Sequence, residues 1–303
     1  YFFSFLSFAQ INDSNVNLLI NKISQTEAKG DKTSNDYANL INNLAIYYTN
    51  KGMYTQAEPL FIKVSTIRKS VYGENHLSYA TSLNNLAFLY QKQGRYIEAE
   101  PVLLKSLQIE KSILGSDNSD YLDSYEMLGF LYENLNKYDY ALKVFNEVLQ
   151  TRKNNKNKSY IVTFSNIIRV KCSIDDDIDY DYLENLCKKY LSETENILGK
   201  KDPFYLIGLF YLASFYEHNN VLYLAEKKYE EIIDIKKNIL KEDINSIYPT
   251  YESLANIYNE EGNYQLAERI HQFVLDKKVE NNLSKYEIAR SYNNLATVYM
   301  NQF

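Results

Sequence analysis

The feature that most limits how this chain folds is a repeat. Setting the segment that starts at Tyr37 above those that start at Tyr79 and Tyr121 brings Leu44-Ala45 over Leu86-Ala87 and Leu128-Gly129. In the same alignment Tyr48 falls over Tyr90 and Tyr132, and Ala57 over Ala99 and Ala141. Gly52-x-Tyr54 falls over Gly94-x-Tyr96 and Asn136-x-Tyr138, and the step is 42 residues throughout. Four steps from Leu44 reach Leu212-Ala213 with Tyr216 and Ala225; five reach Leu254-Ala255 with Tyr258, Gly262, Tyr264 and Ala267. A partial last copy, one residue early, supplies Leu295-Ala296 and Tyr299. A register held over this length marks stacked copies of one supersecondary unit.

Within a copy the local signals read helix, turn, helix. Leu44, Ala45 and Tyr48 share one face of a 3.6-period helix. Gly52 sits where that helix must stop, because glycine takes the left-handed backbone a helix end needs. Ala57, Leu60, Phe61, Val64 and Ile67 mark the apolar stripe of a second helix. No copy buries its stripe alone, so neighbours stack and the expected fold is all-α. It is a right-handed α-solenoid of about seven helix-turn-helix units, with a concave face. The units lie near 37–78, 79–120, 121–162, 163–204, 205–246, 247–287 and 288–303, the last one partial. Composition agrees: 9 Gly and 4 Pro in 303 residues are too few for turn-rich sandwiches or barrels.

The fourth unit departs. Val170, Lys171 and Ile174 stand where Leu, Ala and Tyr belong, although Tyr180 and Leu183 hold second-helix positions. The acidic run Asp175-Asp176-Asp177-Ile178-Asp179 fills its turn, and the polar stretch Asn154 to Lys158 before it reads as a joint. These are the marks of a drifted unit or of a specialised docking turn.

Residues 1–10 lie outside the repeat. Tyr1-Phe2-Phe3-Ser4-Phe5-Leu6-Ser7-Phe8-Ala9 ends in Ser-x-Ala before polar residues, as the tail of a secretory signal peptide does, which implies export to a periplasmic or extracellular space. The alternative is an aromatic first helix capping the array in a cytoplasmic protein. Residues 11–36 read as a lone capping helix with Val16, Leu19, Ile20 and Ile23 on one face.

The pattern Leu-Ala-x-x-Tyr…Gly-x-Tyr-x-x-Ala resembles the tetratricopeptide repeat (TPR), with the longer 42-residue spacing of kinesin light chain repeats. The loops Tyr72-Gly73-Glu74-Asn75-His76 and Leu198-Gly199-Lys200-Lys201-Asp202-Pro203 are similar to that subtype as well. The resemblance implies a non-catalytic scaffold or adaptor that holds an extended peptide or a partner protein against the first helices of its units. It also implies two other roles. In bacteria such arrays precede a caspase-like CHAT protease, making this a regulatory half; or the array serves as a structural spacer or for oligomerisation.

Chemistry-bearing motifs are scarce. The net charge of −6 argues against a nucleic-acid partner, and no apolar run reaches the length of a membrane span. There is no phosphate loop, no metal-ligand spacing and no nucleophile elbow, so no cofactor and no catalytic residue is expected. His76, His218 and His271 read as surface or capping residues. Cys172 and Cys187 align with differently directed positions, and a disulfide and two free thiols both remain open.

The groove is the remaining site. Asn42-Asn43, Asn84-Asn85 and Asn293-Asn294 recur before the Leu-Ala pair, and Asn256 lies in the same face. Kinesin light chain repeats use groove asparagines on a peptide backbone, which the resemblance carries over to Asn42, Asn43, Asn84, Asn85, Asn256 and Asn293. Glu126, Glu133, Asp175, Asp176, Glu217 and Glu252 follow with hardly any opposing Lys or Arg at groove positions, and Phe88, Phe130 and Phe210 lie among them. The expected ligand is therefore basic, with apolar anchors. The chain ends on a first helix whose apolar face needs a cover, either a following segment or a second copy through self-association.

Overall fold

The computed structural model describes residues 13–155, 158–174 and 180–302. The signal-peptide reading of residues 1–9 and the acidic run 175–179, Asp175 and Asp176 included, lie outside the described residues. Among the described residues are fourteen α-helices, no strand, and no helix long and apolar enough to cross a membrane. They are α1 (Asp13–Ala28), α2 (Asn35–Asn50), α3 (Tyr54–Tyr72), α4 (Leu77–Lys92), α5 (Tyr96–Leu114), α6 (Ser119–Asn134) and α7 (Tyr138–Asn154). After these come α8 (Tyr160–Cys172), α9 (Tyr180–Leu198), α10 (Pro203–His218), α11 (Leu222–Asp234), α12 (Tyr248–Glu260), α13 (Tyr264–Glu280) and α14 (Lys285–Gln302).

The chain divides into two compact units, Tyr1–Asn157 and Lys158–Phe303. In the first, each helix packs on the next, from α1 on α2 to α6 on α7. Val16, Leu19 and Ile23 of α1 join Tyr37, Ala38, Ile41, Val64 and Ile67 in one cluster, so α1 covers the open side of the α2–α3 pair. Ile20 is not part of that face and stays 38% exposed. In the second unit α8 and α9 pack on each other and on α10, and the stack continues pairwise to α14. The degenerate repeat thus keeps its helical hairpin. Both units are stacks of consecutive hairpins, the arrangement of a TPR α-solenoid.

The turn inside each hairpin is one structure used five times. Gly52, Gly94 and Gly262 take left-handed φ of 73°, 73° and 77°, and Asn136 and Asn220 take φ of 56° and 57° in the same place. Glycine and asparagine are the residues that tolerate this backbone. The amide three residues beyond the end of the first helix then reaches back to a tyrosine carbonyl in its last turn. Met53 N bonds Tyr48 O, and Arg95, Lys137, Val221 and Asn263 bond Tyr90, Tyr132, Tyr216 and Tyr258, every one at 2.8 Å. First helices open on side-chain caps, with Ser34 accepting from Tyr37 N, Asn118 from Asp120 N and Asp202 from Phe204 N.

Where the two helices of a hairpin cross, both carry small residues. Ala45, Ala57, Ala87, Ala99, Ala141, Ala213, Ala225, Ala255 and Ala267 are all fully buried. In the third repeat Gly129 takes the place of Ala45. A Cβ there would lie 2.6 Å from the ring of Phe145. The second repeat combines Ala87 with the smaller Leu103, both fully buried. Gly129→Ala is therefore expected to destabilise the chain by about 1–3 kcal/mol through overpacking. Adding Phe145→Leu, which recreates the Ala87–Leu103 combination, should restore most of the loss in urea melts followed by circular dichroism.

Candidate functional site

The first helices position the predicted groove residues, but the structure turns several of them inward. Asn85 Nδ2 donates to Asn42 Oδ1 at 2.9 Å, joining α2 to α4, and both side chains are buried. The expectation that Asn42 and Asn85 serve a ligand is corrected: their amides are used on each other. Asn84 is half-buried and donates to Glu110 Oε1 at 2.7 Å and to Ser124 Oγ at 2.8 Å. Asn43 is half-buried, while Asn256 and Asn293 are exposed.

The acidic groove is corrected more sharply. Glu126 is 2% exposed and accepts from Arg152 Nη1 at 2.8 Å; Asp123 pairs with the same guanidinium through Nη2. Glu252 is buried between Lys278 Nζ at 2.5 Å and Arg290 Nη2 at 2.7 Å. These bases lie 26 residues after their acids, on the second helix of the same repeat, or in the case of Arg290 on the next first helix. Aligning only the first helices misses them; a scan for compensating charge at that offset would find them. The equivalent position holds Arg68 in the first repeat, which donates to Asn39 Oδ1 at 2.9 Å and to the Ser78 carbonyl at 3.2 Å. At this second-helix position a polar seam recurs through Arg68, Glu110 and Arg152 in the first unit and through Lys278 in the second.

Glu217 is half-buried and accepts from the Tyr229 hydroxyl at 2.6 Å. Burial and the neighbouring Glu217 charge hold Glu260 above the usual carboxylate range. Glu133 is half-buried in α6. Among the aromatic candidates, Phe88 is half-buried with Lys92 Nζ 5.2 Å over its ring, and Phe130 packs edge-on to Phe145 at 5.2 Å. Phe210 is 42% exposed and stands edge-on to Tyr229 at 6.0 Å. On α4, Asn84, Phe88 and Gln91 follow at i, i+4 and i+7, one face of the helix. The Gln91 Nε2 atom is shielded yet has no hydrogen-bond partner.

In the second unit α8 stops at Cys172, one turn short of its counterparts, and a cleft of about 200 Å³ lies there among Cys172, Leu183, Tyr211, Ser214, Phe215 and His218. Both cysteines are free thiols, Cys172 exposed and Cys187 buried. Burial pushes the Cys187 thiol up to about 12, so it does not ionise appreciably at neutral pH. His76 caps α4, its Nδ1 accepting from Ser78 N at 3.0 Å, and it stacks on Tyr72. His271 departs from its expected surface or capping role: it is 1% exposed, and burial lowers its imidazole below the ordinary value. On α14, Tyr292, Ala296 and Met300 are exposed, and Tyr292 and Ala296 line a cleft with Leu275 and Val279 of α13.

The buried pairs make a prediction about stability. Arg152→Ala removes the guanidinium shared by the buried Glu126 and Asp123 and is expected to cost about 3–5 kcal/mol. Glu126→Gln, which leaves Asp123 on the guanidinium, is expected to cost clearly less. The order of urea midpoints, wild type then E126Q then R152A, checks this.

Residues 36–96 and 78–154 match the family model of the tetratricopeptide repeat. No sequence among curated proteins matches the chain. Three solved structures place the fold. A putative kinesin light chain from Podosopora anserina with nearly identical TPR-like repeats is 20% identical, with a TM-score of 0.59 over 66% of this chain and 95% of its own. BtubC (BKLC) from P. vanneervenii is 16% identical, with a TM-score of 0.58 over 87% of this chain and 92% of its own. The Rap protein complexed with Competence and Sporulation Factor is 13% identical, with a TM-score of 0.50 over 97% of this chain and 88% of its own. With the repeated turn, the buried alanine crossings and this match in hand, residues 36–154 are tetratricopeptide repeats, and the stacked helical hairpins of the described residues share the fold of the kinesin light chain repeats, a fold typical of protein–protein interaction scaffolds.

Proposed function

We propose that the chain is a scaffold whose first helices α2, α4 and α6 take an extended segment of a partner protein. The observation that supports this best is the face of α4. Phe88 stays half-exposed there, and one turn along the Gln91 amide has a shielded nitrogen with no partner in the protein. The interior has no use for either group. An aromatic side chain of the partner would cover the ring, and its backbone carbonyl would accept from the amide once the side chain turns outward. Asn43 on α2 adds a half-exposed amide able to bond a backbone irrespective of sequence. The Rap protein, solved with Competence and Sporulation Factor, supports the reading that an array of this fold holds a second molecule.

Charge is not the selector in this reading. Glu126 and Glu252, the deepest of the acids expected to attract a basic ligand, are neutralised within the fold. Apolar anchors therefore matter more than basic residues. Peptides selected by display against the full chain test this. They should be enriched in aromatic and branched residues, bind with little dependence on salt, and lose about tenfold in affinity, near 1.4 kcal/mol, in Phe88→Ala. Selected peptides that bind F88A and Q91A as tightly as the parent, or that weaken steeply with salt, overturn the proposal.

A further inference from the structure

The polar seam has one member of the wrong sign. Second helices supply Arg68, Arg152 and Lys278 at equivalent positions, and each cation finds an acceptor. The second repeat supplies Glu110 instead, 5% exposed, with its Oε1 accepting from Asn84 Nδ2 at 2.7 Å. No cation stands beside it. Two atoms of this cluster lack a partner, Glu110 Oε2 and Asn84 Oδ1, and both are acceptors while the glutamate is ionised. A proton on Oε2 changes that. It turns the oxygen into a donor for Asn84 Oδ1, while Asn84 Nδ2 keeps donating to Oε1, and the acid and the amide close a two-bond ring. Ser124 Oγ, 2.8 Å from the same amide nitrogen, ties α6 to the cluster.

We propose that the Asn84–Glu110 pair is a proton-dependent clasp between the two helices of the second repeat, tied to the third through Ser124, closed when Glu110 carries a proton and strained open when it ionises. Its surroundings favour the neutral acid. From α6 the Asp120 charge opposes ionisation, and the Tyr121 phenol also faces the carboxyl. From α4 comes the neutral Asn84. On α5 itself Ser106 stands close, its hydroxyl already donating to the Ala80 carbonyl at 2.8 Å. Burial pushes the Glu110 carboxyl up to about 7, outweighing the polar Ser124, Asn84 and Ser106 groups around it, which lower it. The folded chain thus holds this proton more tightly than the unfolded chain does. Its contribution to stability is complete below the ordinary carboxylate value of 4.5 and is lost as pH rises toward about 7. Asn84 lies on the face that includes Phe88 and Gln91, so the clasp sits directly beneath the groove, although it operates with or without a ligand.

Glu110→Gln provides the test, because its amide nitrogen donates to Asn84 Oδ1 at every pH and keeps the ring closed. Urea midpoints of the full chain and of E110Q are compared from about pH 5 to about pH 8, the window set by the raised carboxyl. The two curves should separate progressively as pH rises, with E110Q the more stable above pH 7; comparing them cancels the histidines. Parallel curves overturn the proposal. Independently of any variant, the Glu110 side-chain carboxyl followed by NMR in the native chain should titrate near neutrality. A midpoint at the ordinary glutamate value of about 4.3 would sink the clasp outright.

Discussion

The contact on which the rest of the structure depends is the crossing of two helices over a pair of alanines. Ala45 against Ala57, and their copies at every regular repeat, leave no accessible surface and let two backbones approach more closely than larger side chains allow. Everything around that crossing is sized to it. Phe61, Leu103, Phe145, Cys187, Tyr229 and His271 occupy one column beside it, all buried, and vary in volume far more than the alanines do. In the third repeat the facing residue is Gly129, with the Phe145 ring where its Cβ would lie, whereas Ala45 and Ala213 are kept in the repeats that carry Phe61 and Tyr229. A similar arrangement occurs at Gly208, whose missing Cβ would lie 2.7 Å from the ring of Tyr190. The close approach is kept and the neighbours adjust, the order expected where close packing controls the hairpin.

Stacking one hairpin on the next uses different forces. Tyrosines at the end of each first helix reach a glutamate of the preceding repeat: Tyr216 to Glu184 and Tyr258 to Glu226 at 2.6 Å, and Tyr299 to Glu268 at 2.7 Å. In the first unit Tyr90 and Tyr132 stand beside Glu58 and Glu100 in the same relation, their phenols held high by burial and then by that charge. Arg95 lies 4.3 Å over the Tyr90 ring and 2.8 Å from Glu58, and Lys137 repeats this more loosely over Tyr132. Apolar burial drives the association, and these rungs with the buried seam set its register, because a hairpin slipped by one turn would bury charges without partners.

The repeat made the fold legible. A fixed step transmits register, and Leu44, Tyr48, Gly52 and Ala57 have one role each, so their copies inherit it. Depth is not transmitted in that way. Asn42 and Asn84 are equivalent in sequence, yet one is sealed against Asn85 while the other stays half-accessible beneath the groove. Equivalent positions say which residues do the same job, whereas a buried ion pair joins positions that are not equivalent. Glu126 with Arg152, and Glu252 with Lys278, looked like surface acids only because their bases lie on another helix. His271 was obscured differently. Nothing about a single histidine shows that its column is the one beside the alanine crossing, unless Phe61 and Phe145 are read in the same column.

The fourth repeat is where both kinds of information meet. Its first helix lacks the rung tyrosine, carrying Ile174, and the glutamate that such a tyrosine would meet is also gone, since Leu142 stands in the column of Glu58 and Glu100. Random drift has no reason to remove both halves of one bond. A tyrosine without its carboxylate, or a glutamate without its phenol, would leave a polar group to be shielded with no partner, whereas two aliphatic side chains leave none.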